Sequence, residues 1–211
     1  VESAICGSDD ETIVVRGADL CKDLIGKVSF SDYFWLLVTG QRPNPTASRV
    51  LDATLVAIAE HGLVPSVQAS RMTLAAAPDA IQGAVAAGIL GCGSVILGAS
   101  ETAGRLFLHV DALAKEKLLS LDAAAHEIVR ELRAAKQPIP GYGHPLHKAR
   151  DPRVARLFAV AAEAGTPGHF IAIAEAVEKV LPALAGRDLR LNVSAAIPAV
   201  LLDVGFPAEA L

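Results

Sequence analysis

From residue 30 onward, the sequence repeats one pattern, in which apolar residues recur at helical spacing between capping and stop signals. The stretch 46–60, for example, places Leu51 and Leu55 on the same side of a helix. Further helices are predicted over residues 30–40, 66–77, 100–118, 121–136, 151–165, 168–184 and 194–204, with another beginning at Pro78. We therefore expect a mainly α fold.

The first seventeen residues differ from the rest of the chain, because they carry a strand signal. Residues 11–16 are rich in β-branched side chains, and the turn-like segment 7–10 precedes them. This pattern predicts a small hairpin over residues 1–17 and a helical body over residues 18–211. Since no linker, repeat or low-complexity tract divides the chain, we expect a single domain.

The stretch from Ile81 to Ser100 contains no charged side chain, and its length is roughly that of a membrane span. Five glycines interrupt it, however, and the cluster Gly91-Cys92-Gly93-Ser94 indicates a break between two helices. We therefore prefer a pair of buried helices, for instance at a subunit interface, to a transmembrane helix. Because charged residues make up only 20% of the chain, we expect part of its surface to be hidden in an oligomer.

Charge and cysteine content argue against several classes of function. The formal net charge is −4 and the isoelectric point is about 5.9, so we expect neither nucleic-acid binding nor a polybasic membrane contact. Cys6, Cys21 and Cys92 are widely spaced and form no CxxC motif, which favours a reducing compartment. We expect a soluble cytoplasmic protein without a signal peptide, and, because the chain starts at Val1, with part of its natural N-terminus missing.

The segment 137–150 differs from its flanks, because three prolines, two glycines and two histidines lie between two predicted helices. Gly141 and Gly143 allow the backbone to approach a ligand closely with its amide groups available. Arg150 and Arg153 flank Asp151-Pro152 at the next helix start, where amide groups and a guanidinium favour an anion. The alternative interpretation is a surface turn with solvated charges.

Histidines supply the remaining candidate groups. His61 lies at the C-terminal end of an apolar helix, where it is either a helix cap or an imidazole whose charge the helix dipole favours. His144 and His147 are spaced like metal ligands, but no third ligand follows at a suitable distance, so we predict no metal site. The other three histidines are expected to be structural or to face solvent, namely His109, His126 and His169.

The motif Gly141-Tyr142-Gly143-His144, followed by Lys148 and by Asp151-Pro152-Arg153, resembles the signature of citrate synthases. In that family the histidine and the arginine stand nine residues apart, and this chain keeps that separation. The helix that ends at Glu60-His61-Gly62 and the segment Asn192-Val193-Ser194 resemble two further family motifs. These motifs occur in the family order, so the resemblance covers nearly the whole chain.

The resemblance implies a citrate synthase-like helical fold with a small N-terminal β-hairpin, assembled as a homodimer. It also implies a reaction that joins acetyl-CoA to a 2-oxo acid, or the reverse of that reaction. The partners are then acyl-CoA and small molecules of the citrate or oxaloacetate type. Coenzyme A enters as a thioester substrate, and we expect no permanently bound cofactor.

The same resemblance assigns roles to individual residues. His61 would donate a hydrogen bond to the thioester oxygen, and His144 would polarise the oxaloacetate keto oxygen or the citryl hydroxyl. Arg153 would hold a substrate carboxylate, with Asn192 as a second substrate-binding residue. The backbone that would wrap the adenine of coenzyme A is that of Ile139, Pro140, Gly141, Tyr142 and Gly143.

Ser194 is the main departure from the family pattern. It stands where the family has the aspartate that removes a proton from the acetyl methyl group, and a hydroxyl is not such a base unaided. Ser194 is therefore either a weak catalytic candidate or the N-cap of the last helix, and Asp203 is a poor substitute for the base. The chain is also short after Gly40 and ends at Leu211, before an expected C-terminal segment.

The shortened front resembles the citryl-CoA lyase module of ATP citrate lyase and stand-alone bacterial proteins of that type. Cleavage of citryl-CoA begins at the hydroxyl group and needs no base at the methyl carbon, so Ser194 harms it less than it harms condensation. Our leading hypothesis is citryl-CoA lyase-like cleavage to acetyl-CoA and oxaloacetate. The alternatives are a citrate or methylcitrate synthase, and a non-catalytic homologue that binds coenzyme A or serves as a subunit.

Overall fold

A computed structural model confirms the mainly α architecture of the protein. It describes residues 3–60, 62–93, 97–143, 150–186 and 188–211. In these ranges a small sheet is followed by nine α-helices: α1 (Phe30–Thr39), α2 (Pro45–Ile58), α3 (Pro65–Ala76), α4 (Ile81–Leu90), α5 (Ala99–Lys117), α6 (Leu121–Ala134), α7 (Pro152–Glu163), α8 (His169–Ala185) and α9 (Val193–Asp203).

The N-terminal sheet is antiparallel and consists of β1 (Cys6–Ser8), β2 (Ile13–Val15) and β3 (Ala18–Asp19). The predicted hairpin is present as β1 and β2, and β3 adds a third strand beyond residue 17. Arg16 and Gly17 form the turn before β3, with φ values of 48° and 80°. A strand of two residues is too short to give a periodic signal, so the sequence pattern missed it.

A long-range contact joins this sheet to α1. The side chain of Arg16 donates hydrogen bonds of 3.0 Å from Nε and 2.6 Å from Nη2 to the carbonyl of Leu37. Below these bonds, Val15, Leu24 and Leu36 form a small apolar core of their own. The sheet therefore packs beside α1 and leaves the main core to the helices.

The main core is formed by α5, α6, α8 and α9, with α2 and α7 packed against α9. Phe107 of α5, Ile173 and Val177 of α8, and Val200 of α9 are completely buried. Nine of the eleven residues of α9 are buried, which is typical of a helix at the centre of a core. The residues at the start of α9 are therefore held firmly in place.

Asp203, at the end of α9, holds the start of α8. Its carboxylate accepts hydrogen bonds from the N–H groups of Phe170 at 2.8 Å and Ile171 at 3.3 Å, while burial raises its pKa. The neighbouring His169 lies 2.7 Å from a carboxylate oxygen of Asp111 on α5. These contacts give Asp203 and His169 structural roles in joining α5, α8 and α9.

The starts of α3 and α4 differ from the prediction. α3 begins at Pro65 rather than after a Ser66 cap, because proline suits the first position of a helix. α4 begins at Ile81 rather than at Pro78, because a tight turn closed by a backbone hydrogen bond precedes it. The other predicted helices appear within a few residues of their expected ends.

The α3–α4 pair stands apart from the main core. The two helices approach closely, since a Cβ atom added at Gly91 would lie 3.0 Å from the Cα atom of Ser66. Elsewhere in the described ranges, neither helix packs extensively against another element. Within the single chain α4 is not buried, because Ile89 and Leu90 are 66% and 85% exposed, so its predicted burial stays a prediction about a subunit interface.

The predicted break after α4 is confirmed, because α4 ends at Leu90 and α5 begins at Ala99. The uncharged stretch is thus divided between two helices. Among the helices of the described ranges, none combines the length and the apolarity that crossing a membrane requires.

Candidate functional site

The predicted ligand-binding loop, residues 139–143, is fastened to the chain just before α9. The N–H group of Gly143 donates a hydrogen bond of 2.7 Å to the carbonyl of Arg190. The N–H group of Asn192 donates one of 3.0 Å to the carbonyl of Gly141. These bonds form a short antiparallel bridge, so the loop and the start of α9 are one structural unit.

Gly141 has no room for a side chain. Its φ is 84°, and a Cβ atom added there would lie 2.5 Å from the Cβ atom of Ala195 on α9. The sequence suggested that this glycine lets the backbone approach a ligand. The structure adds another requirement, which is close packing of the loop against α9.

Tyr142 anchors the loop from inside the core. Its side chain is buried, and the hydroxyl group donates a hydrogen bond of 2.8 Å to the carbonyl of Ala174 on α8. Burial raises the pKa of Tyr142 well above its usual value, and the nearby charge of Glu178 adds to this effect. Its phenol is therefore a neutral structural donor, and contacts of this loop with a ligand fall to its backbone and to Pro140.

Asn192 connects the loop with the helix that carries Ser194. Its side-chain oxygen accepts a hydrogen bond of 2.9 Å from the N–H group of Ser194 and thereby caps α9. Its side-chain nitrogen donates one of 2.7 Å to the carbonyl of Gly143. The interpretation of Ser194 as the helix cap is therefore wrong, because Asn192 occupies that position and Ser194 lies in the first turn.

Arg153, the predicted carboxylate ligand, is oriented by the buried side chain of Asp151. One oxygen of Asp151 accepts hydrogen bonds from the backbone N–H and Nε of Arg153 at 3.0 and 3.1 Å, and the other accepts one from Nη2 at 2.8 Å. A guanidinium has five N–H donors, so others remain for a ligand. Asp151 also accepts a hydrogen bond of 3.3 Å from the N–H group of Val193, which ties Arg153 to the start of α9.

The pKa of Asp151 reflects this position. Burial, the largest single influence, raises it, but the hydrogen bonds and the positive charge of Arg153 together lower it below its usual value. Asp151 therefore stays ionised at neutral pH and holds Arg153 through charge as well as geometry.

A second buried carboxylate, that of Glu178 on α8, supports the same region. It accepts a hydrogen bond of 2.7 Å from the N–H group of Leu191 and forms an ion pair with Arg150. This pairing raises the pKa of Arg150. Of the two arginines that flank the predicted anion site, Arg150 is thus committed to Glu178, and Arg153 is the better candidate for a ligand.

We call residues 139–143, 150–153 and 190–194 together the loop–helix junction. This junction brings most of the described candidate residues into contact. Sequence reasoning treated Asp151 as a helix start and missed its role in orienting Arg153. It also missed Glu178, although a charged residue among the buried positions of α8 was an available signal.

Two cavities adjoin the junction. The first, of about 410 Å³, lies between α2, the start of α5 and α9, and Ser194 forms part of its wall. Its described lining also includes Thr54, Ile58, Leu97 and Ser100, and no ionisable side chain belongs to that lining. We call it the Ser194 cavity.

The second cavity, of about 600 Å³, lies between α5, α6 and the residues that lead into the loop. Pro138 and Pro140 form one wall, and apolar side chains of α5 and α6 form most of the rest. Arg105, which forms an ion pair of 2.8 Å with Glu101, and His109 are the basic residues of its lining. This loop cavity lies within the usual size range of small-molecule sites, which is about 300–1,000 Å³.

The two histidines predicted to be catalytic, His61 and His144, lie outside the described residues, as do His147 and Lys148. Their predicted roles therefore stay predictions. Within the described ranges, no group of three or more His, Cys, Asp or Glu side chains is placed to hold a metal ion.

Comparison with known proteins gives a consistent result. The family described as "Citrate synthase, C-terminal domain" matches residues 21–211. A citrate synthase of Synechocystis sp. is 28% identical over 166 residues, which are 76% of this chain and 39% of that protein. The chain therefore spans about two fifths of the length of this curated relative.

Two solved structures are similar over almost the whole chain. The citryl-CoA lyase from Hydrogenobacter thermophilus is 33% identical with a TM-score of 0.85, and the match covers 99% of this chain and 78% of that one. The ATP citrate lyase from Methanothrix soehngenii, solved in complex with citrate and coenzyme A, is 25% identical with a TM-score of 0.81. That match covers 97% of this chain and 32% of the lyase.

Proposed function

This chain belongs to the citrate synthase family, and we propose that it is a citryl-CoA lyase-like enzyme that cleaves citryl-CoA to acetyl-CoA and oxaloacetate. The observation that carries this proposal is its similarity in fold to a citryl-CoA lyase along nearly its full length. We also propose that residues 1–211 form one domain, and that coenzyme A takes part as a substrate rather than as a permanently bound cofactor.

The proposed reaction makes limited demands on the protein. The citryl hydroxyl loses a proton, and its oxygen becomes the keto oxygen of oxaloacetate. The electron pair of the carbon–carbon bond passes to the acetyl carbon, which takes up one proton to become the methyl group of acetyl-CoA. The protein must therefore bind the carboxylates, accept one proton, supply another and stabilise a developing enolate.

Arg153 is the proposed carboxylate-binding residue. Its guanidinium is partly exposed and already oriented by Asp151, so little side-chain freedom is lost when a carboxylate binds. Asn192 is proposed to contribute at the same end of α9, although two of its polar groups also hold the junction together. His144 and His61 keep the roles that the family resemblance implies, at the citryl hydroxyl and the thioester oxygen.

Coenzyme A is proposed to lie along residues 139–143, where the backbone would wrap the adenine. The adjoining loop cavity is mostly apolar, and Arg105 stands at its rim. An apolar cavity beside a basic group suits a ligand that combines a purine with phosphates.

A condensing synthase is a weaker candidate, because the proposed acyl position has Ser194 in place of a carboxylate base. A non-catalytic coenzyme A-binding homologue is favoured by the same observation, since the described lining of the Ser194 cavity has no ionisable side chain. These candidates differ in what they turn over, and turnover can be measured directly.

The direct test incubates the protein with citryl-CoA and follows oxaloacetate through a coupled NADH assay. We expect oxaloacetate from the wild-type chain and none above background from His144→Ala. Arg153→Gln should raise the KM at least tenfold, as expected for a lost charged hydrogen bond of about 1.5–3 kcal/mol. The matched control is Arg156→Gln on the same helix, because that exposed arginine pairs with Glu163.

Three outcomes separate the candidate functions. A wild-type rate no higher than that of His144→Ala would rule out the lyase. Release of free coenzyme A from acetyl-CoA or propionyl-CoA with a 2-oxo acid would indicate a synthase, and Ser194→Asp should then increase it. Binding of coenzyme A without any turnover would support the non-catalytic homologue.

We also propose that the protein is a homodimer that buries the α3–α4 pair. Val85, Ile89 and Leu90 of α4 expose apolar surface, as does Met72 of α3. An exposed apolar patch of this kind is typical of an interaction surface. A second copy suits it because an isologous contact would cover the uncharged α4 of both chains at once.

Analytical ultracentrifugation tests the dimer. We expect about twice the chain mass of 21.8 kDa for the wild type, and the mass of one chain for the double variant Ile89→Glu with Leu90→Glu. Leu118→Glu is the control, because Leu118 is equally exposed but lies at the far end of α5. A monomeric wild type at tens of micromolar would contradict this proposal.

The cysteines support a cytoplasmic location, which we also propose. Cys6, Cys21 and Cys92 are all unbonded in the described residues, as expected for a reducing compartment.

A further inference from the structure

The buried carboxylate of Glu178 contacts two separate segments of the loop–helix junction. It accepts the hydrogen bond of Leu191, whose side chain is completely buried, and it pairs with the guanidinium of Arg150. Nε of Arg150 lies 3.4 Å from one of its oxygens, and Nη2 donates to the other. One side chain of α8 thus joins the segment before α7 to the segment before α9.

The backbone of Leu191 shows how much this contact holds together. Its two neighbours in sequence form the bridge to the loop, so its own N–H and carbonyl groups point to the opposite edge. There the carbonyl accepts a hydrogen bond of 3.4 Å from the N–H group of Asp151, and the N–H group meets Glu178. The carboxylate of Glu178 therefore takes the place that a carbonyl of a further strand would have.

Two arginines flank Asp151, and their guanidinium groups have different partners. That of Arg153 donates to both carboxylate oxygens of Asp151. That of Arg150 turns to α8 instead, where it pairs with Glu178 and lies 3.6 Å from Glu175. Because Arg150 adjoins Asp151 in the chain and carries the same group, we expect it to compete for that carboxylate when Glu178 no longer holds it.

We infer that Glu178 is a positioning residue, which keeps Arg150 away from Asp151 so that Arg153 remains oriented toward a carboxylate of the substrate. This inference rests on the proposed role of Arg153 and adds the residue that protects it. Its predicted effect is opposite in sign to that of charge alone. Removal of a negative charge beside an anion site strengthens anion binding by simple Coulomb attraction, whereas removal of Glu178 should weaken it.

Isothermal titration calorimetry with citrate measures the effect without requiring turnover. Glu178→Gln keeps an oxygen for the N–H group of Leu191 but loses the charge that holds Arg150. Its affinity for citrate should therefore fall about tenfold, as expected when a charged hydrogen bond to the ligand is lost. Adding Arg150→Gln removes the competing guanidinium, so the double variant should return to within about threefold of the wild type.

Glu175→Gln is the matched control. Glu175 lies on the same helix and near the same arginine, but its side chain is half exposed, so the affinity should change by less than about threefold. Circular dichroism shows whether each variant is folded. With citryl-CoA as substrate, Glu178→Gln should raise the KM more than it lowers kcat, because the lost interaction is one of binding.

Two results would overturn the inference. One is citrate binding by Glu178→Gln that equals or exceeds that of the wild type, and the other is a double variant that binds as weakly as Glu178→Gln. The expected order of citrate affinities without cleavage of citryl-CoA would uphold the inference and overturn the proposed activity. Absence of citrate binding by the wild type would overturn the inference, whereas release of oxaloacetate from citryl-CoA would still support the lyase.

Discussion

The loop–helix junction and the α3–α4 pair both contain small and apolar residues, but these residues pack differently in the two regions. At the junction, Gly141 brings a loop against the buried start of α9, and the carboxylates of Asp151 and Glu178 hold nearby backbone N–H groups. In the α3–α4 pair, Gly91 also brings two segments together, but apolar side chains of both helices, such as Met72 and Leu90, remain exposed.

The difference lies in where the stabilising partners come from. The junction finds its partners within the chain, so its geometry is complete in a single copy and is suited to orienting a substrate. The α3–α4 pair lacks a cover within the described residues, and its exposed apolar surface is the one that we propose a second copy covers. Substitutions should therefore affect the junction through folding and the α3–α4 pair through association.

The largest effect is expected at Gly141. Gly141→Ala should lower the free energy of unfolding by about 2–5 kcal/mol, because a left-handed backbone costs about 1–2 kcal/mol for alanine and the clash with Ala195 adds about 1–3 kcal/mol. Urea denaturation followed by circular dichroism measures the change. Gly165→Ala is the matched control, because Gly165 has a similar φ of 80° but open space around it. Equal losses for both variants would mean that the contact with α9 is unimportant.

A smaller effect, and one that depends on pH, is expected at Asp151. Asp151→Asn should cost about 2–3 kcal/mol at pH 7, because it removes one partner of a buried ion pair. The folded-state pKa of Asp151 is lowered, so its stabilising contribution is complete above the unfolded-state pKa of about 3.9 and is lost as the pH falls through the lower folded value.

Thermal denaturation between pH 2 and 7 tests the direction of this pH dependence of stability. The wild type should lose stability on the acid side more steeply than Asp151→Asn, and the two curves should converge at the lowest pH. Parallel curves over the whole range would show that the charge of Asp151 contributes nothing to folding. Asp188→Asn serves as the control, because Asp188 forms an exposed ion pair with Arg190.

A moderate effect on stability is expected at Tyr142, which lies in the same junction. Tyr142→Phe keeps the ring but removes the hydrogen bond from its hydroxyl to the carbonyl of Ala174, so we expect a loss of about 0.5–1.5 kcal/mol. Tyr33→Phe, on α1, is the control and should change the free energy of unfolding by less than about 0.5 kcal/mol. An unchanged stability in Tyr142→Phe would indicate that the ring alone anchors the loop.

Features that depend on local sequence signals could be predicted from the sequence. Helices with regular apolar spacing and strong signals, such as α2 and α7, were predicted within two residues of their ends, because those signals are local. The cap of α9 was assigned to Ser194 instead of Asn192, because both residue types are good caps and local sequence did not separate them.

Contacts between distant segments were beyond the sequence pattern. Glu178 holds the N–H group of Leu191, which is thirteen residues away and on another element, so no local spacing relates them. Likewise, the apolar composition of α4 predicts burial but does not reveal that its own chain leaves it exposed. Composition indicates that a surface needs a partner, whereas the fold determines whether the chain supplies one.

The smallest effect is expected on the outer face of the α3–α4 pair. Met72 is 73% exposed, so Met72→Lys should change the stability of the single chain by less than about 0.5 kcal/mol. Ala84→Lys, at a buried position of α4, should be strongly destabilising by comparison. Because a dimer gains stability with protein concentration, the melting temperature of the wild type should rise between 1 and 50 μM (about 50-fold), while that of Met72→Lys should rise less. A concentration-independent melting temperature in both proteins would mean that this face has no second copy as its partner and that its exposure is a property of the free chain.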